Sequence, residues 1–545
     1  MAGIGVTRLW QKEALIEIQR VVVSQGRQLG AFRPSDRVAF SANLRPKIET
    51  GKADPVRPNL KCMMRSSSQT LSAGTRSLQD MQQEYFDSGE FFRELAALIS
   101  YPTASAEPGA GVAVTAYVEE QIGPILEEIG CNWRMIPNDS HESAPFLLAH
   151  RFEDPAFPTV LVYGHADVVE GQSDQWSEGL SPWKLTAEGD RWYGRGAVDN
   201  KGQHLINLAA LRLLVRNHGQ LGFNLTVLIE SGEEVGSPGL AQFASTHEDE
   251  LRADVFIGSD GPRLDASTPT LFLGARGGVN FELEADLRPG QRHSGNWGGL
   301  LRNAATTIAG AVGTLVNGHG VIVCEALLPP ELPGSVRSAL ANVQIDRQND
   351  GASVDDNWAD TTLSPAERVF GWNTVEVLSL AAGNPEQPMN AIPGQAKAVL
   401  QLRFVVGTDL DNLQDRVQRH LNDHGYPMVR VRFGTAFPAS RTDPDHPWAQ
   451  WGAESLRRAV GDKLAVLPNI GGSLPNYIFT DILGIPTLWI PHSYPDCNQH
   501  APDEHILESN AREGMAMALA LFSDLGAPEG RPIASPARDA SSLHP

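Results

Sequence analysis

Two adjacent carboxylates, Glu233 and Glu234, follow an apolar run over residues 223–229 that predicts a buried strand. Like charges at the end of such a strand repel each other and lose hydration, so the pair needs a positive partner. A divalent cation would supply that charge. One carboxylate would then bind the cation, while the other stays free to take a proton from a water molecule. Alone, such a pair is typical of a solvated face; beside a cation, it would be suited to metal-assisted hydrolysis.

Other acidic and histidine residues also stand where a predicted strand ends or a predicted helix begins. In chain order they are His165, Asp167, Asp199, Asp260 and His500. Because the carboxyl ends of parallel strands meet at one edge of a sheet, residues far apart in the sequence can converge there. Mixed imidazole and carboxylate ligands suit zinc, with cobalt or manganese as substitutes. Each element alone is typical of a polar loop, but together they predict a site for two divalent metal ions.

Predicted strands and helices alternate around these residues. Strands are predicted over 159–163, 223–229, 255–257 and 485–490, and helices over 89–99, 112–129 and 201–217. Pro124 is expected to bend the second of these helices, because it lacks an N–H. The alternation predicts an α/β catalytic domain with a parallel-rich sheet flanked by helices.

Residues 272–436 have a different pattern, with strands and helices in the order β-α-β-β-α-β. The strands are predicted over 279–287, 375–380, 396–406 and 428–433, and the helices over 299–316 and 410–421. This order predicts an inserted α+β domain of ferredoxin-like type that serves as a lid. The catalytic domain is then split into residues 85–271 and 437–525. Residues 1–64 are expected to be disordered or a non-native extension, and residues 526–545 a loose tail.

The bulk composition excludes several classes of function. The chain has 545 residues and a formal net charge of −21, whereas a nucleic-acid binder needs a basic face. No apolar run approaches the roughly 20 residues of a membrane span. The four cysteines are far apart and form no CxxC pair, which favours a reducing compartment. We therefore expect a cytoplasmic enzyme that binds neither nucleic acid nor membrane.

Eight motifs occur in an order that resembles the M20 metallopeptidases. They are "GHADVV", "WYGRGAVDNKG", "ESGEEVGS", "SDGP", "HSGNWGG", "NAIPGQAKAVLQLRF", "GGSLPN" and "NQHAPDE". The resemblance covers roughly residues 85–525. This family includes carnosinase-like dipeptidases, glutamate carboxypeptidases, and acetylornithine and succinyl-diaminopimelate deacylases.

The resemblance implies a role for each residue at the metal site. One metal would be held by His165, Asp199 and Asp260, and the other by Asp199, Glu234 and His500. Glu233 would be the general base, and Asp167 would orient His165. A cis peptide would follow Asp199. The next residue is Asn200, where the family often has a second aspartate.

The resemblance also implies residues that contact the substrate. His293 would reach across a homodimer interface, through the inserted domain, and stabilise the oxyanion in the partner's active site. Arg403 would face a substrate carboxylate, helped by Asn390, Gly472 and Ser473. Asp rather than Glu at position 260 favours a dipeptidase acting on small peptides. An N-acyl amino acid deacylase, or a metal-bearing binding protein without activity, remain the alternatives.

Overall fold

The computed structural model describes residues 77–107, 109–345, 354–355 and 357–532. The predicted extension over residues 1–64 and the tail from residue 533 onwards lie outside these ranges. None of the helices in the described ranges combines the length and the apolar character that crossing a bilayer requires.

The strands lie in two main sheets, one large and one small, with three short ladders. In chain order they are β1 (Asn132–Ile136), β2 (Phe146–Arg151), β3 (Thr159–His165), β4 (Thr186–Glu188), β5 (Arg191–Tyr193), β6 (Asn224–Glu230), β7 (Val255–Gly258), β8 (Thr270–Phe272), β9 (Gly274–Ala275), β10 (Gly277–Asp286), β11 (Arg292–His293), β12 (Thr374–Ala381), β13 (Ala391–Ile392), β14 (Gln395–Phe404), β15 (Val429–Phe433), β16 (Ser440–Arg441), β17 (Ala465–Leu467), β18 (Thr487–Trp489) and β19 (His505–Leu507).

The helices cover the large sheet on both faces and the small sheet on one. In chain order they are α1 (Leu78–Asp87), α2 (Glu90–Ile99), α3 (Ala110–Tyr117), α4 (Gly123–Ile129), α5 (Lys201–His218), α6 (Leu240–Thr246), α7 (Glu248–Leu251), α8 (Ser294–Trp297), α9 (Ala304–Leu315), α10 (Gly334–Leu340), α11 (Leu413–Asp423), α12 (Pro447–Val460) and α13 (Glu508–Gly526).

The large sheet is mixed rather than purely parallel. Its strand order is β1-β2-β6-β3-β7-β18-β8-β17. The central strands β6, β3, β7 and β18 are parallel, so their carboxyl ends share one edge. Towards one edge, β2 is antiparallel to β6 and β1 is antiparallel to β2; towards the other edge, β8 is antiparallel to β18. The α/β fold is confirmed, and the parallel centre is the part that gathers loop residues at a common edge.

Side chains of the central strands alternate between two hydrophobic cores. Val160 and Val162 of β3 point into one core, and Leu161 and Tyr163 point into the other. A strand buried on both faces reads as a continuous apolar run, which is why the run over 159–163 was recognisable in the sequence. Helix α5 packs against β3 and against α13. The sequence analysis predicted α5 but not α13.

Local signals explain three differences between predicted and observed elements. The helix predicted over 112–129 is interrupted by a π-helical turn, Val118–Ile122, next to Pro124, which cannot donate a backbone hydrogen bond. Helix α9 begins at Ala304 rather than at 299, because the Asn303 side chain accepts the N–H of Ala305 and caps the helix. Strand β18 is shorter than predicted and is flanked by Pro486 and Pro491.

The smaller sheet is antiparallel, with strand order β12-β14-β10-β15. Its apolar face shares a core with helices α9 and α11. The chain order of these six elements is strand, helix, strand, strand, helix, strand.

The connection between α9 and β12 does not stay with the small sheet. Its helix α10 contacts β17 of the large sheet. Leu332, Val336, Leu340 and Phe370 of this connection belong to the same hydrophobic core as Trp489 of β18. Part of the range 272–436 therefore packs on the catalytic domain, because its apolar side chains are buried there.

Candidate active site

His165, Asp199 and Asp260 converge at the carboxyl edge of the large sheet. His165 is the last residue of β3, and Asp260 lies two residues beyond the end of the neighbouring β7. The His165 Nε2 atom is 3.0 Å from Asp199 Oδ1 and 3.6 Å from Asp260 Oδ2. All three side chains are almost fully buried. Parallel pairing of β3 with β7 brings His165 and Asp260 together. The loop before α5 supplies Asp199.

A second group shares Asp199. The His500 Nε2 atom is 2.9 Å from Asp199 Oδ2 and 3.1 Å from Glu234 Oε2. Glu234 lies in a short 3₁₀ turn, Glu233–Val235, that follows β6. The His500 side chain is 54% exposed, whereas Asp199 is only 4% exposed, so this group borders solvent on one side. The structure thus brings together the five residues that the sequence analysis assigned as metal ligands.

The donor atoms in these two groups fit two divalent cations. Among the described residues, the groups close enough to hold a metal are His165, Asp199, Asp260 and Asp199, Glu234, His500. Each group contains one buried carboxylate oxygen without a hydrogen-bond partner, Asp260 Oδ2 and Glu234 Oε1. A buried polar atom left unpaired costs about 1–3 kcal/mol, more for a charged group. A cation in each group would satisfy these oxygens with ligands of the type that zinc takes.

The electrostatics of the protein alone disfavour so many ionised carboxylates. Burial, reinforced by the charge of Asp199, raises the pKa of Glu234 to about 7 and that of Asp260 to about 6. Burial also raises the pKa of Glu233 well above its ordinary value, and the surrounding carboxylates add to this rise. Asp199 is the exception: burial acts to raise its pKa, but hydrogen bonds from His165 and His500 hold it well below its ordinary value. The site is therefore short of positive charge.

Asp167 connects the two groups through its backbone and its side chain. Its backbone carbonyl oxygen is 3.0 Å from His165 Nδ1, and its carboxylate is 3.4 Å from the same atom. In the neutral imidazole, a proton on Nδ1 would leave the Nε2 lone pair free to bind a cation beside Asp199 and Asp260. The Asp167 carboxylate also accepts the backbone N–H groups of Glu233 at 3.2 Å and Glu234 at 3.1 Å. One buried aspartate thus orients the histidine and the turn that carries both glutamates.

The sequence analysis did not single out two residues that form hydrogen bonds with Asp199, namely Glu504 and Gln499. Glu504 Oε1 accepts the backbone N–H groups of Gly196, Val198 and Asp199, and its Oε2 pairs with Arg195 at 2.6 Å. Gln499 Nε2 donates to Asp199 Oδ2 at 2.5 Å. Both lie in the motif "NQHAPDE", so the available signal was their closeness to His500. The peptide bond Asp199–Asn200 is cis, which confirms what the resemblance implied.

Arg403 and Ser473 form a second cluster with Arg276, a residue that the sequence analysis did not single out. Arg403 Nη1 donates to Ser473 Oγ at 2.9 Å, and that hydroxyl donates to the backbone carbonyl of Arg276 at 2.9 Å. Arg276 Nε donates to the carbonyl of Gly471, the neighbour of Gly472. Within the described ranges no ion pair joins either guanidinium to a carboxylate. Burial and the neighbouring charge of Arg403 lower the pKa of Arg276 to about 10, and the charge of Glu376 acts in the opposite direction.

His293 and Asn390 lie together in an exposed part of the small domain. Strand β11 pairs with β13, and the backbone and hydroxyl of Ser294 both donate to the Asn390 carbonyl at 2.9 Å. Residues 289–300 and 383–390 are exposed. No hydrogen bond or ion pair in the described part of the chain joins His293 or Asn390 to the metal-ligand groups.

Comparison with known protein families assigns the chain to a family. Residues 161–524, a range that contains both metal-ligand groups, match the model of Peptidase family M20/M25/M40. The chain belongs to this family. It is therefore an M20-type peptidase.

Curated M20 relatives match most of the chain. It is 28% identical over 395 residues to a cysteinylglycine-S-conjugate dipeptidase from Corynebacterium striatum, which covers 70% of this chain and 84% of that protein. It is 24% identical over 433 residues to the Beta-Ala-His dipeptidase of Homo sapiens, covering 76% of this chain and 84% of that protein.

Solved structures show the same fold. Human carnosine dipeptidase 1 superposes with a TM-score of 0.66 at 22% identity, covering 83% of this chain and 99% of that one. The dipeptidase Dug1p of Saccharomyces cerevisiae gives a TM-score of 0.66 at 21% identity, covering 84% and 100%. At these identities the likeness establishes the M20 α/β architecture with its mixed sheet.

Proposed function

We propose that this M20-family chain is a dinuclear metal-dependent hydrolase that cleaves the amide bond of dipeptides or similar small peptides. The observation that carries the proposal is the pair of unpartnered buried oxygens, Asp260 Oδ2 and Glu234 Oε1, in the two groups that share Asp199. Curated relatives that match over most of their length carry dipeptidase names, which supports the substrate class.

The five assigned residues would hold two ions, with Asp199 shared between them. Zinc suits this mixture of imidazole and carboxylate donors, and cobalt or manganese can substitute. When bound, the two ions supply Lewis acidity that polarises the amide carbonyl and lowers the pKa of water.

Glu233 is the general base in this proposal. It takes a proton from the attacking water and delivers it to the nitrogen of the leaving amine, so the carboxylate is regenerated. Its position supports the assignment, because the Asp167 carboxylate holds its backbone N–H beside the ligand Glu234. Glu233 belongs to neither metal-ligand group, which leaves its carboxylate free for proton transfer.

Arg403 would bind the substrate carboxylate, with Ser473, Gly472 and Asn390 lining the same end. Arg276 supports this placement, because neither it nor Arg403 forms an ion pair within the described residues, and two neighbouring guanidinium groups attract an anionic group. His293 of the partner subunit would stabilise the oxyanion that develops on the amide carbonyl. Its exposure on the small domain, with no hydrogen bond or ion pair to the metal-ligand groups among the described residues of its own chain, supports action in trans.

The small domain would act as a ferredoxin-like lid and as the dimerisation domain. Strand β12 stands at the edge of its sheet, and Val377, Leu378 and Leu380 on it are all exposed. An exposed apolar edge strand is able to pair with another chain. A homodimer formed there would cover these side chains.

The test is hydrolysis of dipeptides by the metal-loaded protein together with metal analysis. The wild type should cleave dipeptides and bind about two metal ions per chain, as the two ligand groups require. Glu233→Ala should abolish turnover while its metal content stays near the wild-type value. Retained activity would refute Glu233 as the base. Cleavage of N-acetyl amino acids in preference to dipeptides would assign the deacylase alternative.

A further inference from the structure

An apolar pocket of about 390 Å³ adjoins both clusters of the candidate active site. Pro262 lines it two residues after the assigned ligand Asp260, so their Cα atoms lie within about 7.6 Å of each other. Gly472 lines it too and directly precedes Ser473, which accepts a hydrogen bond from Arg403. The lining therefore includes the chain segments that carry Asp260 and Ser473.

Hydrophobic side chains from two parts of the chain form the walls. Phe272, Leu467 and Ile470 come from the large sheet and the loop after β17. Ile470 packs so closely on Gly261 that a Cβ at position 261 would clash with it. Val369 and Phe370 come from the connection between α9 and β12, which returns to the catalytic domain. The pocket thus exists only because that connection packs there.

The two charged residues in the lining are of opposite sign and have partners within the protein, apart from the buried Nη2 atom of Arg263. Arg263 Nη1 pairs with Glu513 at 2.5 Å. The Asp265 carboxylate accepts hydrogen bonds from Ser267 and Thr268. No further charged residue lines the pocket. Most of the lining is apolar, so a charged substrate group would lose hydration over most of its surface, whereas an apolar group would gain by burial.

We propose that this pocket is the subsite for a large apolar side chain of the substrate, either aromatic or branched aliphatic. The inference rests on the proposed function and narrows its substrate class. A volume of about 390 Å³ is enough for a leucine or phenylalanine side chain, and it lies at the lower end of small-molecule sites.

The first test measures kcat/KM on two matched dipeptide series, Xaa-Gly and Gly-Xaa, with Ala, Leu, Phe, Lys or Asp as Xaa. Leu or Phe should exceed Ala on the order of tenfold or more in one series, which identifies the half of the substrate that enters the pocket. Equal values for Ala, Leu and Phe in both series would overturn the subsite while leaving the proposed function intact. Absence of hydrolysis for every member would overturn the proposed function and this inference with it.

The second test places a charge in the pocket. Val369 is 37% exposed, so Val369→Asp should fold, and it should lower kcat/KM for the Leu and Phe members about tenfold and favour the Lys member. Val112→Asp is the matched control, because Val112 is 79% exposed on α3 and does not line the pocket. The control should keep the wild-type ratios. An identical substrate profile for the two variants would contradict the assignment.

Discussion

The backbone N–H of Asp199 donates to the carboxylate of Glu504 at 3.2 Å, although 305 positions separate the two residues in the sequence. The same carboxylate pairs with Arg195, and both side chains are almost fully buried. The loop that carries the proposed shared ligand is therefore held from inside the protein by an ion pair. We therefore expect the ion pair between Glu504 and Arg195 to contribute to folding and to metal binding.

Replacing Glu504 with Ala should destabilise the protein by about 3–5 kcal/mol, because Arg195 would be left buried and unpaired. Urea unfolding followed by circular dichroism measures this loss. Metal content should also fall, since the backbone of Asp199 loses an anchor. Asp249→Ala is the control, because it breaks the exposed pair with Arg252. The control should change stability by less than about 1 kcal/mol. Similar losses for both variants would refute the role of Glu504.

Removing the metal ions should lower the melting temperature. Without cations, the buried carboxylates Asp199, Glu234 and Asp260 face one another with too little positive charge. A ligand at 100 times its Kd stabilises a protein by about 2.7 kcal/mol, and chelation removes that contribution. Calorimetry with and without a chelator measures the shift. Asp199→Ala should show little response to the chelator, since both groups lose their shared ligand. A wild type whose melting temperature ignores the chelator would contradict the two-metal site.

Arg403→Ala should raise KM for dipeptides. A hydrogen bond to a charged group contributes about 1.5–3 kcal/mol, which corresponds to roughly ten- to a hundredfold. The matched substrate is the same dipeptide with its carboxylate replaced by an amide, on which the wild type and the variant should differ little. Arg403→Lys should recover only part of the loss, because an ammonium cannot form the two-pronged contact. An equal loss on both substrates would show that Arg403 acts through the fold instead.

His293 acting in trans predicts complementation between two inactive variants. Glu233→Ala and His293→Ala homodimers should each be inactive. A hybrid dimer contains one site with an intact Glu233 and an intact His293 from the partner subunit. Random mixing should therefore recover about a quarter of the wild-type activity, since half of the dimers are hybrids and one of their two sites works. Mixtures that stay inactive would place His293 in its own chain's site or outside the chemistry.

Much of the candidate site could be predicted from local patterns. Ligand-type residues that directly follow buried strands, such as His165 after residues 159–163, are recognisable because the strand's apolar run and the polar residue are adjacent. The order of elements in the small domain was readable for the same reason. Strand β18 and helix α9 show the limit of this reading, since proline and an asparagine cap moved their ends by several residues.

The sequence by itself determined which side chains can bind cations, the central strands that precede them, and the order of elements in the small domain, because residue chemistry and hydrophobic periodicity are local properties. Only the tertiary structure decided the antiparallel outer strands of the large sheet, the support of Asp199 by Glu504, the cluster of Arg276 with Arg403, and the return of residues around Phe370 to the catalytic core. These features depend on contacts between residues far apart in the chain. Such contacts are selected by how apolar surfaces pack and how buried charges find partners, which no short stretch of sequence specifies.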